Sequence, residues 1–389
     1  MKNLIVFLVL FNLAASLFSI VPAYFGARSL SLGYSTTALN FDVNAIHINP
    51  ALLAAVKYGL SGYQYQNSFM DYKNFAGHLD DILGYNLKNF ESFPTDDKKA
   101  LLGKLHDLFR SKNGLYGFSS SVPGYISRGY GVSYAIVNTA VINPLESDIF
   151  NKEAGNITND DIASLGMNFL GLHYKQVSLS YGMSFSRGMN VGVTLHYLDG
   201  ELTEYNASIT DENVFTADTA VSTYLEDCWG QAADKFSRVT MDFGISVNFG
   251  AYFNVGVSVK NTWNPKIQTA NREITLNKRV TAGLAFTPEP QWGIYLDLDI
   301  APTDLLFSGE KMQPLSVGIE KGFFRNKFFL RAGFLTDLTG KYFIGEKSDV
   351  LYGLGCGFNL GSIIVDAAIG LDGSGSINNL AISGFFILK

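Results

Sequence analysis

Apolar and polar residues alternate along most of the chain from about residue 57 onward. Val191, Val193, Leu195 and Tyr197 fall on one face of an extended strand, with Asn190, Gly192, Thr194 and His196 on the other. Trp292, Ile294, Leu296, Leu298 and Ile300 oppose Gly293, Tyr295, Asp297 and Asp299 in the same way. Met241, Phe243, Ile245 and Val247 oppose Asp242, Gly244, Ser246 and Asn248, and the period of two returns in Val177–Phe185, Val280–Phe286 and Leu315–Lys321. About fourteen strands are predicted, at roughly 57–66, 114–123, 128–138, 168–186, 190–206, 236–248, 251–262, 277–288, 291–302, 313–322, 326–336, 349–359, 362–371 and 379–388. Tight turns at Pro123-Gly124, Arg187-Gly188, Phe249-Gly250, Glu289-Pro290, Arg325-Asn326 and Leu360-Gly361 alternate with long connections. Short turns on one rim and long loops on the other predict an all-β fold, a transmembrane antiparallel up-and-down β-barrel. A soluble β-sandwich is the competing reading.

Two stretches break the pattern. Met1 to about Ala23 carries Lys2 and an apolar run from Leu4 to Ile20 interrupted only by Asn12, Ser16 and Ser19. This is the make-up of a secretory signal peptide over residues 1–23, with an uncleaved anchor as the alternative. The next segment, 24–56, is neither a good strand nor a long helix, and Gly26, Gly33 and Pro50 punctuate it. It is the part left over to fill a barrel's interior, a plug ahead of a barrel over 57–389. Within the first long loop, Leu79, Ile82, Leu83, Leu87 and Phe90 recur at helical steps. A second helix is expected from a cap at Thr95, with Leu101, Leu102, Leu105, Leu108 and Phe109 on one side. Such helices either offer an apolar collecting surface at the mouth or bury those faces against each other.

Composition sharpens the picture. Of 389 residues, 47% are apolar and 16% charged, below the roughly 25% charged of soluble domains. A chain that turns one face of each strand to lipid needs few charges. The net charge of -6, with no basic cluster, argues against nucleic acid as a partner. Loop 207–235 is acidic through Asp211, Glu212, Asp218, Glu226, Asp227 and Asp234, as a solvated loop would be. Cys228 and Cys356 show no metal-ligand spacing and leave a disulfide open. No H-E-x-x-H pair or G-x-S-x-G elbow occurs, so neither an enzyme nor a cofactor or metal is expected. With the apolar faces toward lipid, the lumen face collects Arg238, Asp242, Lys260, Asp297, Asp299, Glu320, Arg331, Asp366 and His196. Both signs are present, which predicts an ion-pair network. An ion pathway or an anchor for a ligand carboxylate at Lys260 or Arg331 is the alternative. Gly353, Gly355 and Gly357 fall on one strand face, where they let a plug or ligand come close.

Ala27-Arg28-Ser29-Leu30, Leu32-Gly33, Asn44-Ala45 and Asn49-Pro50-Ala51 resemble the N-terminal signature of the long-chain fatty-acid transporter-like (FadL/PorV-like) outer-membrane barrels. That group includes spirochaetal members and the relatives used in type IX secretion. Diffuse likeness continues through Val257–Asn264, Arg279–Pro288 and Ser316–Phe334, while Tyr34 and the Leu388-Lys389 ending depart from the pattern. The resemblance implies a fourteen-stranded barrel in a bacterial outer membrane, with an N-terminal plug. Long-chain fatty acids or similar hydrophobic ligands would bind inside it and pass when the plug shifts. It further implies that Asn49, Pro50 and Ala51 form the turn of the plug, with Arg28 close by. Pro50 fixes the backbone there, Asn49 can satisfy neighbouring backbone groups, and Arg28 suits a carboxylate of either protein or ligand. The relatives used in secretion imply a second role, a barrel that docks a secretion or surface protein.

Overall fold

Strands whose two faces differ so sharply in polarity, joined alternately by tight turns and long loops, bury their polar face only by closing on themselves. The computed structural model describes residues 26–39, 44–72, 75–83, 85–109, 114–145, 147–186, 188–210, 233–268, 273–304, 311–339, 350–373 and 375–388. The expected leader, the acidic residues from Asp211 to Asp227 and Cys228 lie outside the described residues. Fourteen strands form a closed antiparallel barrel in which each pairs with its sequence neighbours and the last returns to the first. They are β1 (Gly59–Tyr72), β2 (Gly114–Ser127), β3 (Tyr130–Pro144), β4 (Gly166–Ser186), β5 (Met189–Ser208), β6 (Asp234–Phe249) and β7 (Phe253–Lys260). The circuit continues with β8 (Arg279–Glu289), β9 (Trp292–Asp299), β10 (Pro314–Phe323), β11 (Phe328–Asp337), β12 (Val350–Asn359), β13 (Ile363–Leu371) and β14 (Ile377–Leu388).

The outer wall is apolar. Leu179, Phe185, Tyr197, Ile245, Leu296, Leu354 and Ile382 are exposed there, as the alternation requires. At the short-turn rim aromatic pairs gather, with Tyr130 and Tyr181 5.1 Å apart, Phe253 and Phe286 4.6 Å, and Phe328 and Phe358 5.0 Å. Lys321 lies over the Trp292 ring at 4.1 Å. Such a girdle marks a lipid–water boundary. Among the described residues, no helix is long and apolar enough to cross a membrane.

The wall has two heights. Strands β7 to β14 are 8 to 12 residues long, about what one membrane crossing takes. Strands β1 to β6 have 14 to 21 residues, and the excess lies on the long-loop side. The period-two pattern stops short of these upper ends because both faces there are covered. From Met167 to Leu172 every residue of β4 is buried, and so are Ala140, Val141 and Ile142 of β3. The covering comes from the long loops. Helices α3 (Phe75–Leu83) and α4 (Thr95–Phe109) bury Phe75, Leu79, Ile82, Leu101, Leu105 and Leu108 in one cluster with Phe90, Phe118, Met167 and Phe169. These helices are therefore numbered after two short ones in the N-terminal segment, α1 (Ala27–Ser31) and α2 (Ala45–Ile48). The apolar faces of α3 and α4 are used up in packing, so they do not form an open collecting surface. A fifth helix, α5 (Asn159–Ala163), adds Ile162 to the same cluster and starts from a capping box between Thr158 and Asp161. The Lys152 ammonium bonded to Asp161 holds that carboxyl below its usual range.

Two of the expected loops contain short hairpins. Lys266–Gln268 pairs with Glu273–Thr275, and Thr303–Asp304 pairs with Lys311–Met312. Ile267 and Ile274 of the first are buried against Leu172, Leu198, Leu202 and Phe236. These four wall residues share the lumen-facing alternation of His196 and Asp242, so the hairpin leans inward over the mouth.

Candidate functional site

Residues 26–39 and 44–56 lie inside the barrel. Gly26 and Asn44 open α1 and α2, and Pro50 starts a 3-10 turn, Pro50–Ala55. These pieces are too short to be stable alone, and their burial comes from the wall. Several of the closest approaches of their backbone to the wall fall on glycines. Gly182, Gly192 and Gly244 are cross-strand neighbours on β4, β5 and β6, and Gly318, Gly333 and Gly353 on β10, β11 and β12. A Cβ on Gly182 would stand 2.6 Å from the Pro50 carbonyl oxygen, and one on Gly318 2.6 Å from that of Leu32. At Gly192, Gly333 and Gly353 the approach is closer still. The fit is mutual at Gly33, whose φ is +61° and whose missing Cβ would meet the Phe334 backbone at 2.5 Å.

Polar side chains complete the attachment. Asn49 Nδ2 donates to Thr37 O (2.9 Å) and to Ile245 O (3.1 Å), and its Oδ1 accepts from Ala51 N (3.2 Å). One amide thus ties two parts of the inner segment to β6. Asp297 Oδ2 accepts the Thr36 and Thr37 N–H groups at 2.9 and 2.8 Å. Thr194 donates to Ile46 O (2.9 Å), Asn254 to Ala38 O (2.7 Å), and Ser383 accepts from Ala27 N (2.9 Å). Gln66 donates to the Tyr34 hydroxyl at 2.8 Å. An Asn49→Ala variant leaves two carbonyls and one N–H without these bonds, at about 1–3 kcal/mol for each group that stays buried and unpaired. The expected result is earlier tryptic cleavage at Lys57 in the folded barrel, with the wall intact by its resistance to denaturing detergent. Unchanged cleavage kinetics would remove Asn49 from the attachment.

The charged lumen residues form two groups. Arg331 bonds Glu320 and, at 2.6 Å, Asp366, and Arg28 Nη2 bonds Glu320 Oε1 at 2.9 Å. Arg279 pairs with Asp299, which also accepts from Thr281 at 2.7 Å. Lys260 lies among Arg279, Asp242, Asp299 and Asp297. His196 bonds Asp242 Oδ2 at 3.0 Å and stacks on His47 of the inner segment with centroids 5.9 Å apart. His47 bonds Ser133 at 2.9 Å. Arg238 stands apart from these groups, at the long-loop rim, and donates to the backbone carbonyls of Lys266 and Ser237.

The inner segment is therefore polar in its attachments on the short-turn side, and apolar above. Ala27, Leu30, Tyr34 and Ile48 pack under Val141, Met312, Leu335 and Leu351. Met312 comes from the second hairpin, so this apolar layer lies between the inner segment and the long-loop mouth. On the short-turn side a cavity of about 210 Å³ is lined in part by Arg28, Leu39, Asn248, Tyr252, Asn254 and Tyr295.

Gly353 and Gly355 give way to Leu30 and Ser31, whereas Gly357 gives way to the side chains of Asp366 and Arg331. The rest of the glycine contact surface, with His47, Thr36 and Thr37, is not apparent in the sequence. A glycine recurring on the polar face of several strands is the signal it leaves, as Gly192 and Gly244 do.

A closed barrel of this strand number, filled by its own N-terminal segment, defines the fold class. Solved structures agree on the fold. The toluene transporter TbuX of Ralstonia pickettii matches with a TM-score of 0.55 and 13% identity, over 94% of this chain and 98% of that one. The toluene transporter TodX of Pseudomonas putida gives 0.51 and 11%, over 96% and 98%. A FadL homologue of Pseudomonas aeruginosa gives 0.53 and 11%, over 96% and 100%. By sequence, the chain belongs to the family described as F plasmid transfer operon, TraF, protein, whose model matches residues 46–299. No curated protein matches it.

Proposed function

We propose that this protein is an outer-membrane channel for hydrophobic small molecules, with residues 24–56 as its plug. The observation that carries the reading is the apolar layer of Val141, Met312, Leu335 and Leu351 between the mouth and the inner segment. A polar porin would line that zone with charges, whereas an apolar solute needs a dry place to leave water. The solved structures of this fold support it, since they include toluene transporters and a FadL homologue. A long-chain fatty acid, which the N-terminal signature implies, and an aromatic hydrocarbon both belong to this class. Passage would require the plug to loosen at Asn49 or at the Arg28–Glu320 pair.

The test is uptake of labelled toluene and labelled oleate by a Gram-negative host lacking its own carriers, expressing the protein at a verified surface level. Uptake of either above the vector control is expected, and uptake of neither would sink the reading. A second reading, a barrel that docks a secretion or surface protein, is favoured by the raised wall of β1 to β6 with its helical cover. A stable complex lost on removing residues 75–109 would support it.

A further inference from the structure

We infer that the lumen selects uncharged ligands and rejects carboxylates, so that a neutral apolar molecule is carried and a fatty-acid anion is not. The inference rests on the transport reading above. A carboxylate that leaves water for an apolar layer must find a cation or several donors, or the transfer fails. Among the described residues, the cations inside the lumen are already committed to carboxylates. Arg331 holds Glu320 and Asp366, Arg28 holds Glu320, and Arg279 holds Asp299. Lys260 is enclosed by Asp242, Asp297 and Asp299. At the mouth, Lys266 pairs with Glu273 at 2.7 Å, Lys235 with Glu201 at 3.5 Å and Lys311 with Asp304 at 3.7 Å. Arg238, at the long-loop rim outside the lumen, donates to two backbone carbonyls, which leave its charge in place.

The balance goes further than neutral pairing. In the lumen, the five carboxylates Asp242, Asp297, Asp299, Glu320 and Asp366 face four cations, Arg28, Lys260, Arg279 and Arg331. Even counted as a cation, His196 is used on Asp242. Two more buried carboxylates, Asp337 and Asp372, stand near the mouth and accept the backbone N–H groups of Gln313 and Ser376 at 2.8 and 2.9 Å. Among the described lumen residues an entering anion therefore finds carboxylates at least equal in number to the cations, in surroundings where charges are weakly screened. A neutral solute of equal length meets only the apolar layer.

A matched pair of probes isolates the charge. Purified protein in detergent is titrated with radiolabelled dodecanol and with dodecanoate at a pH where the acid is ionised. Dodecanol is expected to bind about tenfold or more tightly than dodecanoate. Equal or tighter binding of dodecanoate overturns the inference and leaves hydrophobic transport standing. Binding of neither overturns the transport reading, and this inference with it. A Met312→Lys variant places an uncommitted cation on the mouth hairpin and is expected to narrow the ratio toward one. If it is folded and binds dodecanol, but the ratio does not move, the absence of an available cation is not the cause and the inference falls.

Discussion

An Arg331→Ala variant is expected to lose about 3–5 kcal/mol of barrel stability, because it strands the buried Asp366 and takes one of two guanidinium partners from Glu320. Glu320 and Asp366 lie on β10 and β13, with Arg331 between them on β11, and all three side chains are nearly inaccessible. Removing the guanidinium leaves Glu320 with Arg28 and the Tyr295 hydroxyl at 3.4 Å, and takes from Asp366 its guanidinium partner. The measurement is urea unfolding in lipid vesicles, read by the loss of heat-modifiable mobility. A paired Arg331→Met, Asp366→Asn variant should recover part of the loss, since the orphaned charge is then gone. A single Arg331→Ala change with an unaltered midpoint would mean that the network contributes nothing to the wall. The loss is also expected to reach the inner segment, because Arg28 is joined to the network through Glu320.

The second large effect is steric. Gly333→Val puts a branched side chain where the Leu32 backbone now lies, and backbone on both sides cannot yield as a flexible side chain would. Overpacking of this kind costs about 1–3 kcal/mol or more. The expected outcome is a barrel that assembles with its inner segment displaced. In planar bilayers it is expected to show a higher steady conductance than the parent, and Arg28 would become a trypsin site. Gly384→Val is the control, since nothing stands near its missing Cβ. If the two variants behave alike, the close contact between wall and segment has no part in closing the lumen.

How much of this could be read from the chain differs by region. Alternation locates β7 to β14 within a few residues, since each has one lipid face and one lumen face. It stops short at the upper end of β3, where Ala140, Val141 and Ile142 are buried apolar residues without period, whereas the strand expected over 168–186 reaches the upper end of β4. There the loop helices replace solvent on the outside, and both faces become core. The two mouth hairpins, with strands of three and two residues, are shorter than any pattern can report. For the lumen, parity separates inward from outward residues, but pairing across strands depends on register. That Arg331 should meet Asp366, or that Gly192 should stand beside Gly244, follows only once β5, β6, β11, β12 and β13 are aligned. Arg238 shows the limit of parity: it has the inward alternation, yet its height puts it at the rim, binding a hairpin.

The seam between β1 and β14 bears on how the molecule is made. Gly59 pairs with Leu388 and Ser68 with Asn379, so the wall joins residues from opposite ends of the chain. The inner segment precedes β1, yet it rests on glycines of β4 to β6 and of β10 to β12. Its contacts are thus spread over both halves of a sheet that is still open until its last strand has been synthesised. The wall is wrapped around its content, while the number and stagger of its strands set the bore. Contacts this distant in sequence make closure slow, and a chain truncated before Ile377 would keep a sheet with two free edges and an unenclosed core.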